Sequence, residues 1–367
     1  MATLAQVMGK TTSIGRLLGP PVTAMALTFV LASIGVLNPG GSSAAKSLQL
    51  LSLQLATPLI LLGADLRGCF VRCGPLLLSF LVASLATIIA CVAGWYFSGK
   101  LLLSALGRDG LAIAAALLAK NVGGGINYVA VCRSLSASPQ AVAAGLCIDN
   151  IFALIYFPTT SALAAGRPDL NSLVEFESDD LNGLPSANST INVQNSTSVL
   201  FLASSLLWLG ERLGGPLGAL PACTILTVLF ASWAPKSWIS PLQQPADVFG
   251  TCCLYLFFAT AGAPGIAVAD SVRASLIPLT IFLLSLYSIH GLILWTCHKI
   301  WGKRLEAFAP QRLLVASSAA IGGPATSLAL AQANGWKSLL VPSLIVGNIG
   351  YAIATFLGIA YYYALLR

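Results

Sequence analysis

The feature that most restricts this chain is a succession of uncharged apolar stretches long enough to cross a lipid bilayer. A hydrocarbon core about 30 Å thick takes roughly 20 helical residues, and residues 75–98 and 275–297 each supply such a run. Charged residues make up 8% of the chain and the nine apolar types 57%, against roughly 25% charged in a soluble globular protein. No aqueous fold hides that much apolar surface, so the bilayer is the solvent and the first partner. In lipid each segment must satisfy its own backbone, which predicts an all-α integral membrane protein.

Apolar runs place spans at 21–37, 47–66, 75–98, 110–133 and 138–163, then at 216–233, 248–266, 275–298, 312–333 and 338–363. Only 167–198 is long and polar enough to be a linker, which divides one membrane domain into a first repeat (1–166), a polar acidic loop (167–198) and a second repeat (199–367). The loop carries Asp169, Glu175, Glu177, Asp179 and Asp180 and two glycosylation-type triplets at Asn188 and Asn195.

The formal charge of +7 is spread over 19 Lys and Arg between spans. It forms no basic face, so nucleic acid is not a partner, and the charge is read as setting topology. Most of the nine Cys lie in apolar runs, where Cys acts as a small hydrophobe. Their spacing offers no C-x-x-C and no disulfide framework. The first 19 residues are basic and free of acids, with some character of a transit sequence but not the length.

The chain repeats itself at an offset of 199 residues. NVGGGINYVA (121–130) falls on AIGGPATSLA (320–329), so Gly123 and Gly124 meet Gly322 and Gly323, and Asn127 meets Thr326. The same offset sets Gly63-Ala64 on Gly262-Ala263, Gly15 on Gly214, Gly19 on Gly218 and Asp149 on Asn348.

A further apolar stretch, 199–210, is 12 residues long and is read as lying in the interface rather than crossing. With ten spans and the N-terminus inside, Lys and Arg divide eleven inside to seven outside; an eleventh span makes it eight to ten. The positive-inside rule prefers ten. Five spans per half then turn the second repeat over relative to the first, the pattern of secondary transporters with inverted repeats.

A helix broken by Gly125 and its two preceding glycines, or by Gly322-Gly323-Pro324, survives in a membrane only inside protein or beside a wet cavity. Matched breaks predict two crossing discontinuous helices around a midplane site. The candidate substrate-binding residues are Lys120, Asn121, Gly123, Gly124, Gly125, Asn127, Gly322, Gly323, Pro324 and Thr326. Asp149, mid-run in GLCIDNIFALIYF, costs about 2.5 to 3.5 kcal/mol to insert and must hold a proton, a cation or a partner. With Asn150 and Asn348 it forms the candidate ion site, for Na+ or H+. The blander reading pairs Asp149 with Lys120, and reads His290 as a satisfied packing residue. No cofactor beyond the coupling ion is implied. The chain holds no phosphate loop, nucleophile elbow or HExxH, so an enzyme is not expected.

At GGGINYVA with SPQAVAAGLCIDNIFALIYF, and at IGGPATSLALAQANGWKSLLVPSLIVGNIGYAIATFLG, the chain resembles the membrane-protein family DUF819, found in bacteria and plant plastids. That family is similar to the cation/proton antiporter and anion transporter group. The resemblance implies inverted five-span repeats, a core holding two broken helices that moves against a scaffold panel, and Asp149-Asn150 as the pair that binds the coupling ion. The plastid inner envelope and the plasma membrane are the candidate locations, and a second copy of the chain, in a homodimer, is a candidate partner. The chain departs from those relatives at Lys120, where they carry a neutral residue, and at its start, where they have a further helix.

Overall fold

The structure is a computed structural model in which residues 2–12, 20–37, 43–63, 73–170, 192–214, 219–261 and 266–366 are described. Every regular element among them is helical: α1 (Ala2–Thr11), α2 (Pro20–Ser33), α3 (Ser43–Leu61), α4 (Pro75–Leu106), α5 (Arg108–Ser134), α6 (Pro139–Ala164), α7 (Val193–Leu213), α8 (Ala219–Trp233), α9 (Lys236–Ala261), α10 (Ile266–Trp301), α11 (Pro310–Gly322), α12 (Pro324–Ala333) and α13 (Leu340–Leu365). The repeat positions Gly15, Gly19, Ala64, Gly218, Gly262 and Ala263, and the loop residues Glu175, Glu177, Asp179, Asp180 and Asn188, lie outside the described residues.

Four stretches among the described residues are helical, long and apolar enough to cross a membrane: Pro75–Leu106, Pro139–Ala164, Asp270–Trp301 and Lys337–Leu365. Their packing is that of a protein solvated by lipid. On α4 the face carrying Leu76, Phe80, Ala83, Thr87 and Cys91 is buried, while Leu78, Leu81, Leu85, Ile89 and Val92 are exposed on the other. In water such a stripe would be an aggregation surface; against acyl chains it costs nothing.

The helices sort into two bundles. One holds α4, α5, α6 and α10 to α13; the other holds α1, α2, α3, α7, α8 and α9. Leu61 of α3, Val228 of α8 and Ala352 of α13 pack in one cluster on the seam, and Asn348 Nδ2 donates to Gly63 O across it at 2.9 Å. Within the first bundle α4 and α10 run antiparallel, because Gly94 lies against Phe282 while Thr87 meets His290.

The structure lengthens one expected element and corrects the course of another. The stretch at 199–210 is the middle of α7, a 21-residue helix about 31 Å long at 1.5 Å per residue. Asn192 caps it by accepting from Asn195 N at 2.7 Å, and Val199 and Ala203 pack with Leu59, Leu62 and Ala246. The polar Asn-Ser-Thr turn hid its true length from a hydropathy reading.

The correction concerns α5, which is not a single crossing helix. A straight helix would hold its ends about 38 Å apart, yet Asp109 near its start accepts from Ser138 N, just past its end, at 3.2 Å. Gly145 of α6 sits against both Ile113 and Tyr128, and Gly358 of α13 against both Ala115 and Val131. The helix therefore folds back at Gly123-Gly124 into a hairpin whose two arms leave on one side.

The pair α11 and α12 does the same from the opposite end. Gln311 at its start donates to Pro168 O at 2.9 Å and Trp336 just after its end donates to Arg167 O at 3.0 Å, so both arms reach the far end of α6. Such hairpins avoid lipid by burial: residues 110–124 are buried throughout, as are 311–321 except the half-buried Leu314, and their Ala-rich composition lets neighbouring helices approach closely.

Candidate functional site

The hairpin tips meet. Gly124 adopts φ 75, ψ 179 and Gly323 φ 81, ψ −168, a region that is essentially open to Gly alone. A Cβ on Gly124 would sit 3.0 Å from the Tyr351 ring and 3.7 Å from Gly322 O, and one on Gly323 would sit 2.8 Å from the same ring. Tyr351 of α13 thus plugs the junction, and Gly347 and Gly350 bring α13 onto Pro324 and onto Val122.

Carbonyls freed by the turns are met by nearby side chains. Asn127 Nδ2 donates to Gly123 O at 2.5 Å, and Asn127 Oδ1 accepts from Thr355 Oγ1 at 2.6 Å. In the second hairpin Thr326 Oγ1 lies 2.9 Å from Ser318 O and 3.0 Å from Gly323 O. Asn127 and Thr326, which share a repeat position, share this work. Gly125, by contrast, has open space where a Cβ would stand.

One turn before the first tip lies the charged centre. Asp149 is fully buried. Lys120 Nζ donates to Asp149 Oδ2 in an ion pair and to Asn150 Oδ1 at 3.1 Å. Asn121 Nδ2 donates to the other carboxylate oxygen, Oδ1, at 3.2 Å, and Tyr287 OH lies 3.4 Å from it. The structure therefore brings Lys120, Asn121, Asp149 and Asn150 together. It does not bring Asn348 to them, since that amide is committed to Gly63 across the seam.

A second polar chain starts from the same place. Asn121 O lies 3.2 Å from Thr87 Oγ1, which lies 3.0 Å from His290 Nδ1; His290 Nε2 lies 2.7 Å from Ser317 Oγ, and Ser317 Oγ 2.6 Å from Tyr156 OH. Five helices contribute, and both His290 nitrogens are satisfied. Thr87 has one hydrogen for the carbonyls of Ala83 and Asn121, so it accepts from His290 Nδ1–H, and Nε2 then accepts from Ser317. Tyr287, Tyr156, Thr87 and Ser317 escaped the sequence reading. A hydroxyl in an apolar run carries no sign of its partner, and Ser, Thr and Tyr recur through these runs, so nothing set the four apart.

A lipid-exposed helical bundle enclosing two buried hairpins and a buried ion pair defines a multi-pass membrane protein. The chain belongs to the family described as Protein of unknown function (DUF819), whose model matches residues 1–367. It is also similar to the "Uncharacterized membrane protein YjcL" of Bacillus subtilis (strain 168), at 28% identity over 360 residues, covering 92% of this chain and 87% of that one.

Proposed function

We propose that the protein is an ion-coupled secondary transporter of a small solute in which Asp149 carries the coupling ion, Na+ or H+. The observation that carries this reading is the buried Lys120–Asp149 pair beside the first hairpin tip. A lone ionisable pair held at membrane depth next to interrupted backbone is a functional arrangement by default. Lys120 neutralises Asp149 while the ion is away and yields to it on binding. Asn150, which Lys120 also holds, is freed in the same step.

The two halves are inverted repeats. With α4 and α10 in matching places and antiparallel, the hairpins enter from opposite sides and their tips close a midplane site. Gly123, Gly124, Gly125, Gly322, Gly323 and Pro324 shape the solute's seat there. The bundle holding the tips moves against the other, and the Asn348–Gly63 bond belongs to one end of that movement. The chain acts without a cofactor and catalyses no covalent step.

Flux in proteoliposomes tests this. A Na+ or pH gradient should drive uptake in the wild type and fail to do so in Asp149→Asn, with Lys120→Met/Asp149→Asn as the control for folding. Normal gradient-driven uptake in both variants would sink the role of Asp149. Flux indifferent to either gradient would make the protein a passive channel, and no flux of any solute a membrane scaffold.

A further inference from the structure

We infer that the coupling ion is a monovalent metal cation of the Na+ class, and that Asn121 Oδ1 and Ser84 Oγ are ligands to it alongside Asp149. This rests on the reading of Asp149 as the coupling carboxylate and adds what the carboxylate holds. Asn121 is fully buried and Ser84 is 5% exposed, yet no group among the described residues hydrogen-bonds to Asn121 Oδ1 or to Ser84 Oγ. Buried polar atoms are rarely left without a partner, and those that are point to a ligand, ion or water.

Asn121 and Ser84 stand on adjoining helices, α5 and α4. Asn121 already reaches Asp149 through its Nδ2 at 3.2 Å, and that nitrogen is used up by Leu117 O at 2.9 Å, so its oxygen is left over. Ser84 stands on α4 one turn from Thr87, whose hydroxyl touches Asn121 O. On its other side Phe80 lies against Gly350, at the level of Val122 and the hairpin tip. Ser84 is therefore bracketed on the stretch of α4 that faces residues 121–123.

The chemistry of the donors selects the ion. A proton needs only the carboxylate and has no use for neutral oxygens around it. Soft metals want thiolate or imidazole, and among the described residues no group of three His, Cys, Asp or Glu could hold a metal ion. One carboxylate with amide and hydroxyl oxygens suits a hard cation. One negative charge balances one positive charge, so a divalent ion would leave a buried excess. The same balance requires the Lys120 ammonium to leave Asp149 when the cation enters.

The test measures thermal unfolding of the purified full chain in detergent, titrating NaCl, LiCl or KCl against choline chloride at constant ionic strength. A ligand stabilises only the state that binds it, so the wild type should gain about 2 °C or more with saturating Na+. Asp149→Asn and Asn121→Leu should lose the gain. Ser84→Ala, a small change that removes an unpaired hydroxyl, should fold as well as wild type without Na+ and need at least fivefold more Na+ for the same shift. It stands as the test should Asn121→Leu fail to fold.

A Na+ gain lost in Asp149→Asn but intact in Ser84→Ala and in a folded Asn121→Leu would overturn the ligand assignment and leave the coupling role standing. Stabilisation that follows pH through Asp149 with no response to any alkali cation would do the same in favour of H+, and the two orphan atoms would then be met by water. Neither response, together with absent coupled flux, would remove both readings.

Discussion

At the level of single residues, Lys120 and Asp149 are the pair on which the rest of the site depends. Taking one partner from a buried ion pair typically costs about 3 to 5 kcal/mol, whereas replacing both by neutral groups is often neutral or better. Asp149→Asn leaves the Lys120 ammonium facing only amide oxygens, so it should destabilise by roughly that amount. Lys120→Met/Asp149→Asn should recover most of the loss while remaining inactive in flux. Unfolding of the three proteins in detergent checks the order; a double variant no more stable than Asp149→Asn would mean that the pair contributes little. Asp149 and Lys120 were legible in the sequence because charge is so rare there, and so was their pairing. The alliance of Asp149 with Asn121 and Tyr287 was not, because contacts between helices far apart in the chain leave no trace in an apolar pattern.

Among the elements, the hairpins show both how far periodicity reaches and where it stops. A Gly triplet and a Gly-Gly-Pro at one repeat offset marked the interruptions, and Gly124 and Gly323 do occupy the backbone region that Gly alone enters. What the sequence withheld was direction. An arm of ten residues such as α12 reaches only about 15 Å, half a bilayer, but the two arms read end to end have the length and hydropathy of one span. Adjacent glycines in the first tip should respond unequally. Gly124→Ala forces a side chain into a positive φ against the Tyr351 ring at 3.0 Å, at a cost of about 1 to 3 kcal/mol. Gly125→Ala has open space and should change stability by no more than about 1 kcal/mol in either direction. Thermal unfolding of the two variants side by side makes the comparison; equal losses would mean that the triplet acts as general flexibility and not as a defined turn.

For the whole molecule, the two-bundle arrangement gives the proposed transport cycle a surface on which to slide. The seam holds an apolar cluster of Leu61, Val228 and Ala352, the amide bond from Asn348 to Gly63, and a part of the main core where Leu206, Leu207, Leu220, Cys223 and Phe257 of the second bundle join residues of the first. Packed interiors do not deform continuously, so under the proposed mechanism the core would travel as a body, and the boundary between the two bundles is where that movement can be tested. The sequence hinted at two halves, but the bundles do not follow them. Each takes helices from both halves of the chain, a division that becomes visible only when α4 finds α10 and α3 finds α9. A covalent staple across the seam should therefore stop the cycle without touching the charged centre. In a background whose native cysteines are replaced, Val228→Cys/Ala352→Cys should cross-link on mild oxidation and lose at least tenfold of its gradient-driven flux, and a reductant should restore it. Either single cysteine should transport normally after the same treatment. Full flux from quantitatively cross-linked protein would mean that the bundles stay fixed, and that the hairpin tips alone open and close the path.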